Sequence, residues 1–327
     1  MSRVKRTSKV RKQVLEAWSH VYWDFILENE DKDLNWRLIS QNRNITWDII
    51  KDHLSKDWDW DFISENSCIT WDIIQKNPDK PWAWNMITQN SSITMDIIKN
   101  NPDYVYFTKK KWYRYWVSNN PNITWDMIVN FPDQDSVENL WGISLSNCIT
   151  WDIIKDNPNK PWRWGALSMN PKMTYNIIQD NPDKDWNWKY ISRNSSITWN
   201  NIILNLDKDW DWNHISSHCC VTWDIIQAHP TIPWNWYCVA YNPNITIAII
   251  LENPDIPWDW NLVSKNPNMT MNFIRMNPDK DWDWNIISSN PFTTQRTDSL
   301  SSNTSGISWR SGSSIVGRML WSILIVG

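Results

Sequence analysis

Apolar and polar positions in this chain follow a long period laid over a short one. The segment Ile69-Thr70-Trp71-Asp72-Ile73-Ile74-Gln75-Lys76-Asn77-Pro78-Asp79-Lys80-Pro81-Trp82-Ala83-Trp84 is its clearest copy. The Ile-Thr pair, with Met or Val for Ile in some copies, returns at 45, 69, 93, 123, 149, 173, 197, 221, 245 and 269. The step is 24 residues, except for 30 after Ile93 and 26 after Ile123, and a weaker first copy starts at Val21. Eleven units therefore cover residues 21–292. A fixed period of this size marks stacked supersecondary units, each burying its apolar face on its neighbours.

Within a unit the pattern predicts two short helices. Thr46 precedes Trp47-Asp48-Ile49-Ile50, and Thr fills its column in ten of eleven units. Its hydroxyl suits an N-cap, because it can accept a hydrogen bond from a free N–H of the first turn. Ile45 and Ile50 have the spacing of a hydrophobic staple. Asp48 favours the positive helix end, and Asn replaces it in three units, a swap that a catalytic carboxylate would not survive. The helix stops near Asn77-Pro78, since proline pushes its predecessor out of the α region and cannot extend the ladder.

A second helix is predicted from the column of Asp57 and Pro81, with Trp58 beside Phe62 and Trp60 beside Ile63 on one apolar side. It stops at Asn66, in a column that is Asn in nine of eleven units and is followed by Pro in five. Helices of about eight residues, roughly 12 Å long, would not persist alone. The expectation is an all-α protein, an α-solenoid of about eleven short helix-turn-helix repeats. Helices spaced about 8–10 Å apart would make it an elongated body on the order of 100 Å long. The alternative is a leucine-rich-repeat-like or β-solenoid coil, whose Asn column would form an internal hydrogen-bonding ladder.

Tryptophan strengthens the repeat reading. Of 30 tryptophans, 25 fall in three columns, exemplified by Trp71, Trp82 and Trp84. Each can contribute roughly 1.5–3 kcal/mol on burial, so they are expected as core rather than as a ligand-stacking surface. Net charge is −4, but residues 1–12 carry six basic groups and no acid, while 293–327 carry three Arg and one Asp. Subtracting both leaves −12 on the repeat body, a poor match for a DNA-binding face.

The phrase Ile-Thr-Trp-Asp-Ile-Ile-x-x-Asn-Pro-Asp-Lys-Pro-Trp-x-Trp resembles the tryptophan-rich tandem-repeat proteins of giant, mimivirus-type DNA viruses, over residues 21–292. The resemblance implies a multicopy repeat family without a known catalytic activity, placed in host cytoplasm or virion, and it transfers no site residues.

Functional residues are expected where the repeat leaves its own consensus. Six extra residues fall within 104–116, where Tyr106, Lys109, Lys110, Lys111, Trp112, Tyr113, Arg114 and Tyr115 interleave basic and aromatic side chains. Such a cluster suits a protein hot spot or a phosphate-and-base contact, and its bland reading is a solvated loop. Arg3, Lys5, Arg6, Lys9, Arg11 and Lys12 suit a nucleic-acid or targeting contact, or an arm fraying before a capping helix at Val14–Trp18 within residues 1–20.

His214, His218, Cys219 and Cys220 raise a metal reading, but adjacent cysteines are poor geometry for a tetrahedral site, so no metal and no cofactor is expected. Five cysteines in loop columns make no disulfide framework. No secretory signal opens residues 1–20, which makes soluble and intracellular the default.

Residues 293–327 are Ser/Thr-rich and then apolar, a switch expected of a disordered or frameshifted end. The apolar stretch of 13 residues is too short for a transmembrane span. An uncapped last unit would expose its apolar face and favour self-association through the C-terminal end. No nucleophile-and-base constellation or Gly-rich phosphate loop is present, so an enzyme is not expected. The functional expectation is a non-catalytic repeat scaffold with an unknown protein partner. The alternative is nucleic-acid or anionic-ligand binding through residues 1–12 and 104–116.

Overall fold

The computed structural model describes residues 3–100, 120–129 and 140–296, with backbone only for residues 3–12 and for 95, 98, 99 and 140. The described residues are helical, with no strand among them. The fold is an all-α solenoid, and the β-solenoid alternative is not supported.

The first helix of each unit lies where the caps predict. Trp47–Asp52, Trp71–Lys76 and Trp151–Asp156 are six residues each, shorter than the predicted eight. Thr46 and Thr270 accept from the third N–H of their helices at 3.4 and 3.1 Å. Ile45 and Ile50 are both fully buried, as the staple requires.

The second helix starts later than predicted. Its first residue is the last tryptophan of Trp-x-Trp in Trp60–Glu65 and Trp164–Met169, and the equivalent Trp36 in Trp36–Gln41. The residue between the tryptophans is the N-cap, as Asp59 shows by accepting from Asp61 and Phe62. Trp58 therefore precedes the helix. Its Nε1 instead donates at 2.8 Å to the carbonyl of His53, the C-cap of the first helix. Trp82, Trp162 and Trp210 do the same to Asn77, Asn157 and Asn205 at 2.7–3.0 Å. An orphan carbonyl at the helix end is thus satisfied by a buried indole.

That indole is also the packing centre between units. Trp82 meets Trp47 of the preceding unit at 5.8 Å and Trp60 edge-on at 5.3 Å and 79°. Trp186 repeats this with Trp151 at 6.2 Å and Trp164 at 5.0 Å. Trp58, Trp82, Trp162, Trp210 and Trp282 of the middle column are buried as expected, whereas most described tryptophans of the other two columns pack part-buried against that core and Trp236 is exposed.

Two polar ladders run through that core. Asn66 Nδ2 donates to the carbonyls of Ser40 and Asn42, 26 and 24 residues earlier, at 3.0 and 3.2 Å. Asn90, Asn170, Asn194, Asn242 and Asn290 make the equivalent pair. The ladder foreseen for the β alternative therefore exists, but it joins helix ends. Beside it, Ser40 Oγ donates to Trp36 and accepts from the Asp59 N–H of the next unit.

The ladders also join the last unit to the first. Asn42 Nδ2 donates to Ser288 and Asn290 at 3.3 and 3.2 Å, and the Asn35 N–H donates to Ser288 Oγ at 3.0 Å. Helix Trp36–Gln41 packs directly on Trp284–Ser289, as it does on Trp60–Glu65. The solenoid is therefore a closed ring, and the elongated body expected from the repeat is corrected. Each unit turns about one-eleventh of a circle, a curvature set by packing. Second helices touch from unit to unit while first helices meet through indole rings, which places the second helices in the inner layer.

One long helix, α1 (Arg3–Glu28), seals the seam. Its C-terminal half replaces the first helix of unit 1, with Trp23 stacked on Trp58 at 5.6 Å. Tyr22, Phe25 and Phe292 are fully buried together, and Tyr22 Oη donates to Ser288 O at 3.1 Å. Phe292 adopts φ 46°, and a helical turn at 293–296 follows it. The apolar face of the last unit is thus covered, which removes the ground for self-association through that end.

Candidate functional site

The repeat-defining polar residues are occupied within the ring. Asp59, Asp211, Asp259 and Asp283 are N-caps. Asp31, Asp79, Asp183 and Asp207 each bind the lysine that follows, at 2.6–3.0 Å. Those hydrogen bonds hold the four exposed carboxyls below their ordinary range. Asp211 is also 2.8 Å from His214 Nδ1. Burial raises the Asp211 carboxyl, but the bonds from His214 and the backbone N–H groups bring it below the ordinary value.

His218 takes the place of the column asparagine and copies its bonding. Its Nε2 donates to Asn194 O and its Nδ1 accepts from the Cys220 N–H, both at 3.2 Å, which fixes the neutral tautomer. Burial lowers its basicity. Cys68 and Cys220 are pushed up to about 12 by burial, so neither is a reactive thiolate. Among the described residues no group of three or more His, Cys, Asp or Glu could hold a metal ion. Nor is any of their helices long and apolar enough to cross a membrane.

The sequence candidates Tyr106, Lys109, Lys110, Lys111, Trp112, Tyr113, Arg114 and Tyr115 lie outside the described residues, as does the chain after Arg296. Across the longer unit, Asn120 Nδ2 still reaches Thr88, Asn90 and Ile93 at 2.7, 3.4 and 3.1 Å. The ladder register therefore survives the extra length. The basic residues Arg3 to Lys12 belong to α1, so the expected fraying arm and separate capping helix are one continuous element.

Two grooves lie at the same place in different units. One, of about 670 Å³, lies on unit 11 at the seam, between Trp282 and Trp284, Ile274, Arg275, Lys280 and the end of α1. The other, of about 310 Å³, lies on unit 9 between Trp223, Trp234, Trp236, Gln227 and Ile232. Arg275 and Gln227 are equivalent residues, as are Lys280 and Ile232. In unit 11 both cations are engaged, Arg275 with Glu28 at 2.6 Å and Lys280 over the Trp260 ring at 5.0 Å. In unit 9 neither cation exists.

The wider surface changes in the same sector. No Lys or Arg occurs from residue 209 to 264, a stretch carrying six Asp and Glu. Leu204, Leu206, Trp236, Tyr237, Leu251 and Met276 are exposed on units 8–11. Sequence reasoning passed over this sector because its tryptophan spacing is regular. The available signal was the loss of the repeat lysine at Ile232 and Ile256.

No protein-family model matches the chain, and neither a curated protein nor a solved structure matches it.

Proposed function

We propose that this protein is a non-catalytic ring scaffold that binds a protein partner. One observation carries the reading: residues that repeat bond or pack within the ring, while in units 9 and 10 the repeat lysine is lost at Ile232 and Ile256 and Trp236, Tyr237 and Leu251 are exposed. Asn, Ser and Thr of the repeat bond to neighbouring units or helix ends, and the tryptophans fill the core. What varies is the exposed column set, where Lys gives way to Ile and apolar side chains reach solvent. Exposed aromatic and apolar residues grouped on a rigid frame suit a protein interface, where Trp and Tyr supply most of the affinity.

The test is a pull-down of the full chain from source-cell lysate, split by nuclease treatment. The scaffold reading expects a protein that survives nuclease and is lost when Tyr237 and Leu251 are both changed to Ser. Partners that vanish with nuclease, or binding that falls steeply with salt, would replace it with nucleic-acid binding.

A further inference from the structure

At two places in the ring a lysine lies over a tryptophan of the preceding unit, and this lysine column is interrupted by Ile232 and Ile256. Lys208 Nζ lies 5.7 Å from the ring of Trp188, and Lys280 lies 5.0 Å from that of Trp260. In both cases the lysine comes 20 residues later, from the next unit. The residue so placed for Trp236 is Ile256. Trp236 is 38% exposed, while its column equivalents Trp188 and Trp260 are half-buried. A cation over an indole face is attracted by the ring quadrupole, so this face lacks a favourable neighbour that its counterparts have.

The groove beside it is short of the same charges. Trp223 meets Trp236 at 6.3 Å with an interplanar angle of 63°, so two indoles form a corner. Trp234, Pro230, Pro233 and Ile232 complete the lining. The same groove in unit 11 holds Arg275 and Lys280, whereas unit 9 offers Gln227 and Ile232. Carboxylates remain in this part of the chain, at Asp224, Glu252 and Asp255, with no Lys or Arg between residues 209 and 264 to neutralise them. An indole-walled groove whose own lining holds no Lys or Arg fits a cationic side chain supplied from outside.

We propose that the unit 9 groove receives an arginine or lysine side chain from a basic segment of a protein partner, on the face of Trp236 that corresponds to the faces covered by Lys208 on Trp188 and by Lys280 on Trp260. This rests on the scaffold reading and names the chemistry of its partner. Arginine fits best, because its planar guanidinium stacks on an indole while its N–H groups stay free for carboxylates.

The experiment titrates the full chain with a fluorescein-labelled octapeptide of alternating Arg and Gly, read by anisotropy, beside its citrulline counterpart. Citrulline keeps the shape and removes the charge. Ile256→Lys places on Trp236 the lysine that other units already carry, so the fold tolerates it. Trp236→Ala removes the platform, and Ser195→Lys adds equal charge on an exposed position of another unit. Saturable binding of the Arg peptide is expected, weakened about fivefold or more by Ile256→Lys and by Trp236→Ala. Ser195→Lys should bind as the wild type does, and the citrulline peptide should not saturate. The proposal is overturned if the wild type does not bind, if Ile256→Lys binds equally, if Ser195→Lys weakens binding as much, or if citrulline serves as well. A partner in the pull-down that Ile256→Lys still captures would sink this inference and leave the scaffold reading standing.

Discussion

The side-chain amide of Asn42 donates to the carbonyl of Ser288 at 3.3 Å, across 246 residues of chain. Asn66 makes the matching bond to Ser40 at 3.0 Å, across 26. The two bonds belong to one ladder, so the seam between units 11 and 1 is built like an internal interface. Loop-closure entropy rises only slowly with chain length, so closing a ring over so long a chain adds little cost where every neighbouring pair already packs.

Closure makes Asn42 and Asn66 energetically alike. In an open solenoid Asn42 would keep only its bond within the unit, accepting from the Asn44 N–H at 3.0 Å, and its replacement would cost clearly less than that of Asn66. In the ring, Asn42→Ala and Asn66→Ala should each cost about 1–3 kcal/mol, since each orphans two buried carbonyls. Urea unfolding of both variants tests this. An Asn42→Ala clearly milder than Asn66→Ala would mean that the seam is open, and small-angle scattering of the wild type would then show a rod.

Trp82 combines burial with a capping bond to Asn77 at 2.7 Å, and is 7% exposed. Trp82→Phe keeps an aromatic ring but removes the N–H and leaves space between Trp47 and Trp60. A loss of roughly 2–4 kcal/mol is expected from the cavity together with the unpaired carbonyl. A loss below about 1 kcal/mol would show that the indole bond is dispensable. Thermal unfolding followed by circular dichroism gives the value.

His218 should make stability depend on pH. Burial holds its folded-state basicity below the ordinary value of 6.5, so the unfolded chain binds the proton first as pH falls. Its contribution is complete above the ordinary value of 6.5 and is lost progressively as pH drops from there towards the lower folded-state value. His218→Asn restores the column residue without a titrating ring. Its stability relative to the wild type should rise as pH drops from about 8 to about 5, measured by urea midpoints. A difference constant across that range would count against the assignment.

Gly165 of unit 6 sits against two rings contributed by the units on either side, Trp141 of unit 5 and Tyr190 of unit 7. A Cβ built there would lie 3.1 Å from both Trp141 and Tyr190, whose centroids are 5.5 Å apart. Alanine should gain about 1 kcal/mol of helix propensity, but steric crowding offsets that gain while Trp141 is present. Gly165→Ala should therefore be close to neutral alone and stabilising by about 1 kcal/mol on a Trp141→Ala background. Equal effects on both backgrounds would show that the rings yield freely.

Much of the unit was legible from its letters, because local chemistry decides it. Thr46, Ile45 and Ile50 fix the start of the first helix through a cap and a staple, which act within six residues. The second helix was misplaced because Asp57 and Pro81 are good helix starters, while the actual caps sit between the tryptophans and include Ala83 and Arg163, which make no side-chain cap bond. Those starts are held by Ser64 and Ser144, which accept the Ala83 and Arg163 N–H groups from the preceding unit. No local signal carries that contact.

The number of units, the cap and staple of each first helix and the core role of the middle tryptophan column follow from the chain's letters, since period, capping and apolar area are properties of short segments. The choice of helix over a β-solenoid coil came with the structure. Closure of the array does not follow from the letters either, because it depends on a small rotation repeated at every interface and is set by how whole units pack. Packing also gives the substitutions at Ile232 and Ile256 their meaning. A lost lysine becomes a binding position only once its counterparts Lys208 and Lys280 are found lying over indoles of the preceding unit, a relation between residues that the chain keeps 20 positions apart.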